Sequence, residues 1–145
     1  MPSSPLYDAD FFAWANEQDE RLRSGDYSTA DVEHIADEIE SLARAEKREL
    51  VSRLAVLLHH LLMWRRQSTF RCTSGRLSIA NFRDQLCDHL SDNPSLKSKL
   101  DEPIVTAYRY ARRDAAKEFG LDEAEFPSVC PWSYEQMTSE AILAE

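Results

Sequence analysis

The chain has 145 residues, of which 43% are hydrophobic and 30% are charged, and its formal net charge is −9. That balance excludes a disordered chain, and the net acidity speaks against a protein that coats nucleic acid. The length predicts a single domain over residues 1–145 with a short flexible lead-in at residues 1–5, and no run approaches the roughly 20 apolar residues of a membrane span.

The first predicted helix begins near Asp8 or Asp10, either of which can cap it. Its apolar positions step by three or four residues, which is the spacing of one helix face. They are Phe11, Trp14, Ala15, Gln18 and Leu22. Gly25 is expected to end the helix, because a glycine just past a helix readily adopts the left-handed conformation that closes it.

A long stretch from Ser28 to Gln67 contains no Gly, Pro or Asn and consists mostly of good helix formers. Ser28 is the predicted N-cap, and Asp31 three residues later completes a short version of the capping box. An unbroken helix would measure roughly 57 Å, which exceeds the diameter of a compact domain of this length. We therefore expect a kink or break near residues 43–46, or else a long helix shared with a second subunit.

The apolar stripe of this stretch changes direction along its length. Ile35, Ile39 and Leu42 share one face of the first half, and carboxylates such as Glu38 and Glu46 lie within about 60° of Ile35. A leucine-rich face follows, rotated by roughly 80°, and comprises Leu50, Leu54, Leu57, Leu58 and Leu61. This change of phase places the expected bend near Glu46.

Further helices are predicted beyond a polar loop at Gln67–Leu77. Ser78 is expected to cap the first of them, whose inward positions are Ile79, Phe82, Leu86 and Leu90. Asn93 and Pro94 start the next one, and Pro103 must kink or restart it.

The last part of the chain continues this helical pattern. A small-residue face is expected from Ile104 to Phe119, with Gly120 as its end, and a proline-rich strap follows at residues 126–132. Ser133 and Gln136 form a capping box for a last short helix. No alternating strand pattern exceeds four residues. The sequence therefore predicts an all-α helical bundle of about five to six helices.

Six polar side chains on or at the edge of these apolar faces form a candidate polar network. They are Glu38, Glu46, His60, Arg83, Tyr108 and Arg112. Buried carboxylates need partners because desolvation costs several kcal/mol per ion, and Arg83 is the natural bidentate partner of Glu38 or Glu46. The favoured interpretation is a salt-bridge network that fixes helix register. On that interpretation Arg83→Ala should destabilise the fold, because it would strand a buried carboxylate.

Residues 50–83 contain six arginines and no acid, so this stretch is +6 and the rest of the chain is −15. Four arginines, with Trp64 and Phe70, form a candidate basic loop of the kind that could stack on and neutralise nucleic acid. They are Arg65, Arg66, Arg71 and Arg76. Eight acids between Asp26 and Glu49 could neutralise them instead, so we favour pairing within the chain or between subunits over nucleic acid.

Metal binding finds weak support. His34 and Glu38 are four residues apart and could share one ion with His59 or His60. The Glu-x-x-His pairs of di-iron bundles are absent, however. We predict no metal and no cofactor.

Covalent catalysis and export are also disfavoured. Cys87 and His89 diverge on one helix, and Cys72, among arginines, is the remaining candidate nucleophile. The three cysteines, Cys130 included, form no Cys-x-x-Cys pair, and the N-terminus has no signal-peptide pattern. We expect reduced thiols in a cytoplasm.

Several runs of sequence follow one another in a recognisable order. They are LYDADFFAWANEQ, ADEIESLARAEKRELVSRLAVLLHHLLMW, IANFRDQL, DNPSLKSKL, AYRYAR and FPSVCPWSYEQM, and they extend from roughly Leu6 to Met137. This ensemble resembles the bacterial family called domain of unknown function twenty-nine. The resemblance implies a helical bundle with no assigned activity, and it supplies no catalytic residues that could be carried over to this chain. Members often have a Gly and a Ser where this chain has Ala43 and Ala45, which weakens the case for a helix break.

Taken together, these patterns favour a cytoplasmic protein that acts by protein–protein interaction as a homodimer. The alternatives are a metal- or small-ligand-binding enzyme using Glu38, His60 and Arg83, and a nucleic-acid-binding module using the Arg65–Arg76 loop. An enzyme needs a pocket where Glu38, His60 and Arg83 converge with room for a ligand. An interaction protein should instead show them paired, with an apolar surface elsewhere.

Overall fold

A computed structural model describes residues 4–144, so residues 1–3 of the predicted lead-in and Glu145 lie outside the described residues. The α-helices are α1 (Leu6–Ala9), α2 (Phe11–Ser24), α3 (Val32–Arg66), α4 (Thr73–Asp92), α5 (Asp101–Phe119) and α6 (Tyr134–Met137). Short 3-10 segments lie at Ser68–Phe70, Pro94–Lys99, Glu123–Glu125 and Glu140–Ala144. Within residues 4–144 there is no strand, which confirms the all-α prediction. No helix in that range is long and apolar enough to span a membrane.

The chain divides into two compact units, unit 1 (described residues 4–46) and unit 2 (described residues 47–144). Helix α3 contributes residues 32–46 to unit 1 and residues 47–66 to unit 2. The single domain predicted from the chain length stays a prediction.

In unit 1, α2 begins and ends as the sequence predicts. The Asp10 side chain accepts a hydrogen bond from the backbone N–H of Ala13 at 3.0 Å, and Gly25 closes the helix with a φ of 81°. The helix buries Trp14 and Gln18. The four-residue helix α1 just before it was not foreseen.

Helix α3 begins later than predicted, so the assignment of Ser28 as its N-cap is wrong. The hydroxyls of Ser28 and Thr29 donate to the Asp26 carboxylate at 3.2 and 2.8 Å, and the helix starts at Val32. Short polar side chains that bond a nearby group in a turn compete with helix formation in this way.

The expected break near residues 43–46 does not occur, because α3 is one helix from Val32 to Arg66. Sharp helix interruptions almost always need Pro, Gly or an inserted group. Ala43 and Ala45 supply none of these, and alanine is the best helix former.

The core of unit 2 follows the predicted faces. Buried side chains come from α3 (Leu50, Leu54, Leu57, Leu58, Leu61), α4 (Ile79, Leu86, Leu90), α5 (Ala107, Ala111, Ala115) and the C-terminal part (Phe126, Trp132, Met137). The Ser133–Gln136 capping box starts α6 as predicted. The alanines of α5 leave room for close packing, and the residues from Phe126 onward cover the core.

Helix α4 begins five residues before the predicted cap Ser78. Cys72 is its N-cap, and the Cys72 Sγ accepts a hydrogen bond from the Gly75 N–H at 3.4 Å. A Cβ at position 75 would overlap the backbone carbonyl oxygen of Phe70. Gly75 therefore belongs to the first helical turn, where it allows a close backbone approach.

Candidate functional site

A buried carboxylate anchors unit 1. Asp31, just before α3, is 1% exposed, and its backbone N–H donates to Gln18 Oε1 at 2.7 Å. Its Oδ2 accepts hydrogen bonds from the Ser4 N–H (3.0 Å), Trp14 Nε1 (2.9 Å) and His34 Nδ1 (2.7 Å). Burial raises the pKa of Asp31, but these hydrogen bonds outweigh burial and lower it to about 2. One carboxylate thus joins three segments of the chain.

An aromatic layer covers His34. The Tyr7 ring stacks on the imidazole, with centroids 3.8 Å apart, and meets the Trp14 ring edge-on at 4.8 Å. The Tyr7 hydroxyl donates to the Glu38 carboxylate at 2.5 Å, which raises the pKa of Tyr7 to about 12. The hydrogen bond to Asp31 raises the pKa of His34 above its ordinary value of 6.5.

This arrangement can hold the helices of unit 1 together. An aspartate that fixes one histidine tautomer is also found in general-base catalysis. The Tyr7 ring, however, stacks directly on the His34 imidazole, whose side chain is 24% exposed. The predicted metal pair is engaged within the chain, because His34 bonds Asp31 and Glu38 bonds Tyr7. The geometry therefore favours a structural anchor over a reactive site.

Unit 1 also carries the acid surplus of the chain. Residues 1–46 contain 12 Asp or Glu and three Arg, so they sum to −9, whereas residues 47–145 contain 14 acidic and 14 basic residues. The net charge of the chain is therefore carried by residues 1–46, and residues 47–145 are neutral overall.

A groove of about 760 Å³ lies in unit 2. It runs between α5, the 3-10 segment Pro94–Lys99 and residues 128–135. Its walls are largely apolar and aromatic and include Ile104, Val105, Tyr108, Val129, Trp132 and Tyr134. A volume of this size falls within the range of small-molecule sites.

Two members of the predicted polar network, Tyr108 and Arg112, line this groove. The Tyr108 hydroxyl donates to the Pro127 carbonyl at 2.7 Å, and burial raises its pKa. Arg112 Nη2 makes a long hydrogen bond of 3.4 Å to the Phe126 carbonyl, and its buried Nε meets no acceptor within residues 4–144. Burial also raises the pKa of the Cys130 thiol in the groove wall.

The structure gives other members of the network other surroundings. His60 Nδ1 donates to the Val56 carbonyl at 2.8 Å, and its ring packs against Phe82 with centroids 4.6 Å apart. Glu46 lies on an exposed part of α3. Of the six residues, the pair brought together in one cavity is Tyr108 and Arg112, and a shared function of all six stays a prediction.

Arg83 is the buried cation of unit 2. The residue is 8% exposed, and its Nη2 lies 3.7 Å from Oε1 of Glu140, whose side chain is 88% exposed. Its buried Nη1 meets no acceptor among the described residues. The carboxylate beside Arg83 is therefore a solvated one, so loss of Arg83 would not strand a buried acid at that position.

Arg83→Met is expected to keep the free energy of unfolding or to raise it by about 1–2 kcal/mol. Methionine retains the aliphatic contacts and removes a buried, incompletely bonded cation, and such replacements are often neutral or stabilising. Urea unfolding followed by circular dichroism measures the change. Glu140→Gln should shift stability by less than about 0.5 kcal/mol, since exposed ion pairs contribute little. A loss above about 1 kcal/mol in Arg83→Met would contradict this account.

The predicted basic loop is tied into unit 2. Three guanidinium groups lie over aromatic rings, namely Arg65 over Trp132 (5.5 Å), Arg66 over Phe126 (5.3 Å) and Arg76 over Trp64 (5.3 Å). Arg71 Nε donates to the Trp64 carbonyl at 2.9 Å, which satisfies one of the carbonyls left over at the end of α3. All four arginines nevertheless keep exposed surface.

The remaining candidates also have partners within unit 2. His59 Nε2 lies 2.9 Å from the Glu118 carboxylate. The three cysteines are free thiols, and the Cys87 Sγ lies 3.8 Å from the Tyr134 hydroxyl. Cys72 serves as the cap of α4.

The comparisons with known proteins bear on the whole chain. No curated protein and no solved structure matches it. A family model described as "Domain of unknown function DUF29" matches residues 6–143, which include nearly all of both units. The chain therefore belongs to the DUF29 family.

Proposed function

We propose that the chain acts by protein–protein interaction through the surface of unit 1, and that it forms a homodimer by this surface. One observation carries the proposal: residues 39–46 of α3 are exposed on every side of the helix. They include Ile39 and Leu42, which are 62% and 67% exposed. Helices in proteins owe most of their stability to packing of an apolar face. A partner that covers Ile39 and Leu42 would supply that packing.

The apolar exposure extends over unit 1. Large apolar side chains that are at least 40% exposed are Phe11, Phe12, Leu22, Tyr27, Val32, Ile39 and Leu42. They lie in the unit that carries the net charge of −9. A protein that binds here should therefore combine apolar side chains with basic ones, because opposite charges steer association and suppress wrong partners.

A second copy of the chain meets both requirements. Its exposed Arg65, Arg66, Arg71 and Arg76 form a basic surface, and Leu77 beside them is 64% exposed. Unit 1 of each copy would face this basic surface of the other, and two such reciprocal contacts give a closed two-fold dimer. The pairing of arginines with the acids of α3 that the sequence suggests between subunits is then satisfied across the dimer.

Sedimentation equilibrium tests the homodimer. At low salt the wild type is expected at twice the 16.7 kDa of one chain. Ile39→Ser/Leu42→Ser should raise the dissociation constant by about tenfold or more, since each side chain loses apolar burial. Leu77→Ser should also weaken the dimer, because it lies on the opposite side of the same contact. High salt should weaken it further by screening the charges.

Val105→Ser/Val129→Ser is the matched control. These two side chains lie in unit 2 and are 69% and 74% exposed, so they lose similar apolar surface without touching the proposed contact. A monomeric wild type at about 100 µM and low salt would rule the homodimer out. If the control variant weakens the dimer as much as Ile39→Ser/Leu42→Ser does, the dimer does not form through the assigned surface.

We also propose a bacterial cytoplasm as the location. The three free thiols support this, because thiols stay reduced in that compartment. The family resemblance supports a bacterial source.

A further inference from the structure

We propose that the groove of unit 2 binds a small carboxylate with an aromatic body. The ring is held by the aromatic walls and the carboxylate by Arg112. This inference does not depend on the homodimer, because the groove lies within unit 2 and Arg112, which holds the carboxylate, is not part of the proposed contact.

The walls of the groove suit a flat apolar body. Tyr108 and Trp132, which are 3% and 7% exposed, are fixed in the fold behind the groove, and the partly exposed Tyr134 offers accessible aromatic surface. Ile104 and Val105 on α5 add aliphatic surface. Aromatic rings stack on other flat rings with a preference beyond their area alone. About 760 Å³ accommodates a ligand of one or two rings with a short acidic arm.

Arg112 supplies the positively charged group that would bind the ligand carboxylate. Its buried Nε–H meets no acceptor in residues 4–144, and no carboxylate in that range forms an ion pair with it. A buried donor without an acceptor costs about 1–3 kcal/mol. The guanidinium fork matches a carboxylate in geometry and charge. A ligand carboxylate in the groove would therefore give the Arg112 guanidinium the anionic partner that residues 4–144 do not supply.

The charges around the groove limit the ligand to one negative charge. The lining contains three basic side chains (Lys97, Arg109 and Arg112) and three acidic ones (Asp101, Glu123 and Glu135), so it is neutral overall. A polyanion such as a nucleotide would meet three carboxylates. A single carboxylate at Arg112 leaves the other charges undisturbed.

The test compares 1-naphthylacetate with 1-naphthylacetamide, its neutral counterpart, by calorimetry. The wild type is expected to bind 1-naphthylacetate about tenfold more tightly than 1-naphthylacetamide, because the charged probe makes a charge-assisted hydrogen bond. Arg112→Gln should abolish that preference and leave the affinity for 1-naphthylacetamide within about twofold of the wild-type value. Arg112→Lys, which keeps the charge without the fork, should retain part of it. Amide shifts in nitrogen-15 NMR spectra should fall on residues 97–112 and 128–135.

Arg113→Gln is the matched control, because Arg113 is the next residue on α5, is exposed and does not line the groove. It should bind both probes as the wild type does. Circular dichroism verifies that each variant is folded. The proposal is overturned if millimolar 1-naphthylacetate shifts no backbone amide resonance of the groove. It is also overturned if the wild type binds 1-naphthylacetate and 1-naphthylacetamide equally, or if Arg112→Gln keeps the preference for 1-naphthylacetate.

Discussion

Asp31→Ala is expected to lower the free energy of unfolding of unit 1 by about 2–4 kcal/mol. The variant leaves Trp14 Nε1, His34 Nδ1 and the backbone N–H of Ser4 without their common acceptor, in a place where Asp31 itself is 1% exposed. Each buried donor left unpaired costs about 1–3 kcal/mol, and water entry relieves part of that cost. Urea unfolding followed at the Trp14 indole resonance reports the change in this unit.

Asp37→Ala is the matched control for Asp31→Ala. It removes the same side chain from an exposed position of α3, and surface changes of this kind stay within about 0.5 kcal/mol. Asp31→Asn should fall between the two, because the amide oxygen keeps an acceptor but loses the charge. If Asp31→Ala and Asp37→Ala unfold at the same urea concentration, the Asp31 cluster does not hold unit 1 together.

The pKa shifts of the same cluster predict how the stability of unit 1 depends on pH. The lowered pKa of Asp31 means that its contribution is complete above the ordinary value of 3.8 and is lost as the pH falls toward about 2. The raised pKa of His34 means that its contribution is complete below 6.5 and is lost as the pH rises through the raised value. Unit 1 should therefore be most stable between about pH 4 and pH 6.5. In Asp31→Ala the stability of unit 1 should fall less as the pH rises above 6.5, because His34 no longer has the partner that raises its pKa.

The fold was largely predictable because most of its signals are local. Helix periodicity identified the leucines of α3 and the alanines of α5, and the Ser133–Gln136 box identified α6. The errors came from residues with two plausible roles. Ser28 bonds Asp26 in a turn although its position suits an N-cap. Gly75 sits inside a helix although glycine usually marks a loop, because a Cβ there would overlap the backbone carbonyl oxygen of Phe70.

The sites were less predictable, because they depend on which faces meet. The sequence did place the polar residue Gln18 among the apolar positions of its helix, and that position is a signal of the buried cluster in unit 1. The partners of Asp31 lie up to 27 residues away along the chain, so periodicity could not identify them. The groove likewise depends on how residues 128–135 pass along α5, and no local pattern encodes that path.

Trp64→Ala is expected to lower the free energy of unfolding of unit 2 by about 3–5 kcal/mol, the usual cost of removing a buried tryptophan. Trp64 is 4% exposed and belongs to the core. Its Nε1 donates to the Leu143 carbonyl at 3.2 Å, and the Arg76 guanidinium lies 5.3 Å from its ring centre. The change therefore opens a cavity at the end of α3 and also releases the 3-10 segment Glu140–Ala144.

Trp64→Phe separates these two effects. Phenylalanine keeps much of the ring and its contact with Arg76, but it leaves the Leu143 carbonyl without its donor, so we expect a loss of about 1–2 kcal/mol. Hydrogen exchange of the Ile142 and Leu143 amides should quicken in both variants, because the bond that fixes this segment is absent from each. A global loss below about 1 kcal/mol in Trp64→Ala would mean that the core does not depend on this ring. Unchanged exchange at Leu143 would mean that the C-terminal segment is held by Ile142 and Leu143 packing alone.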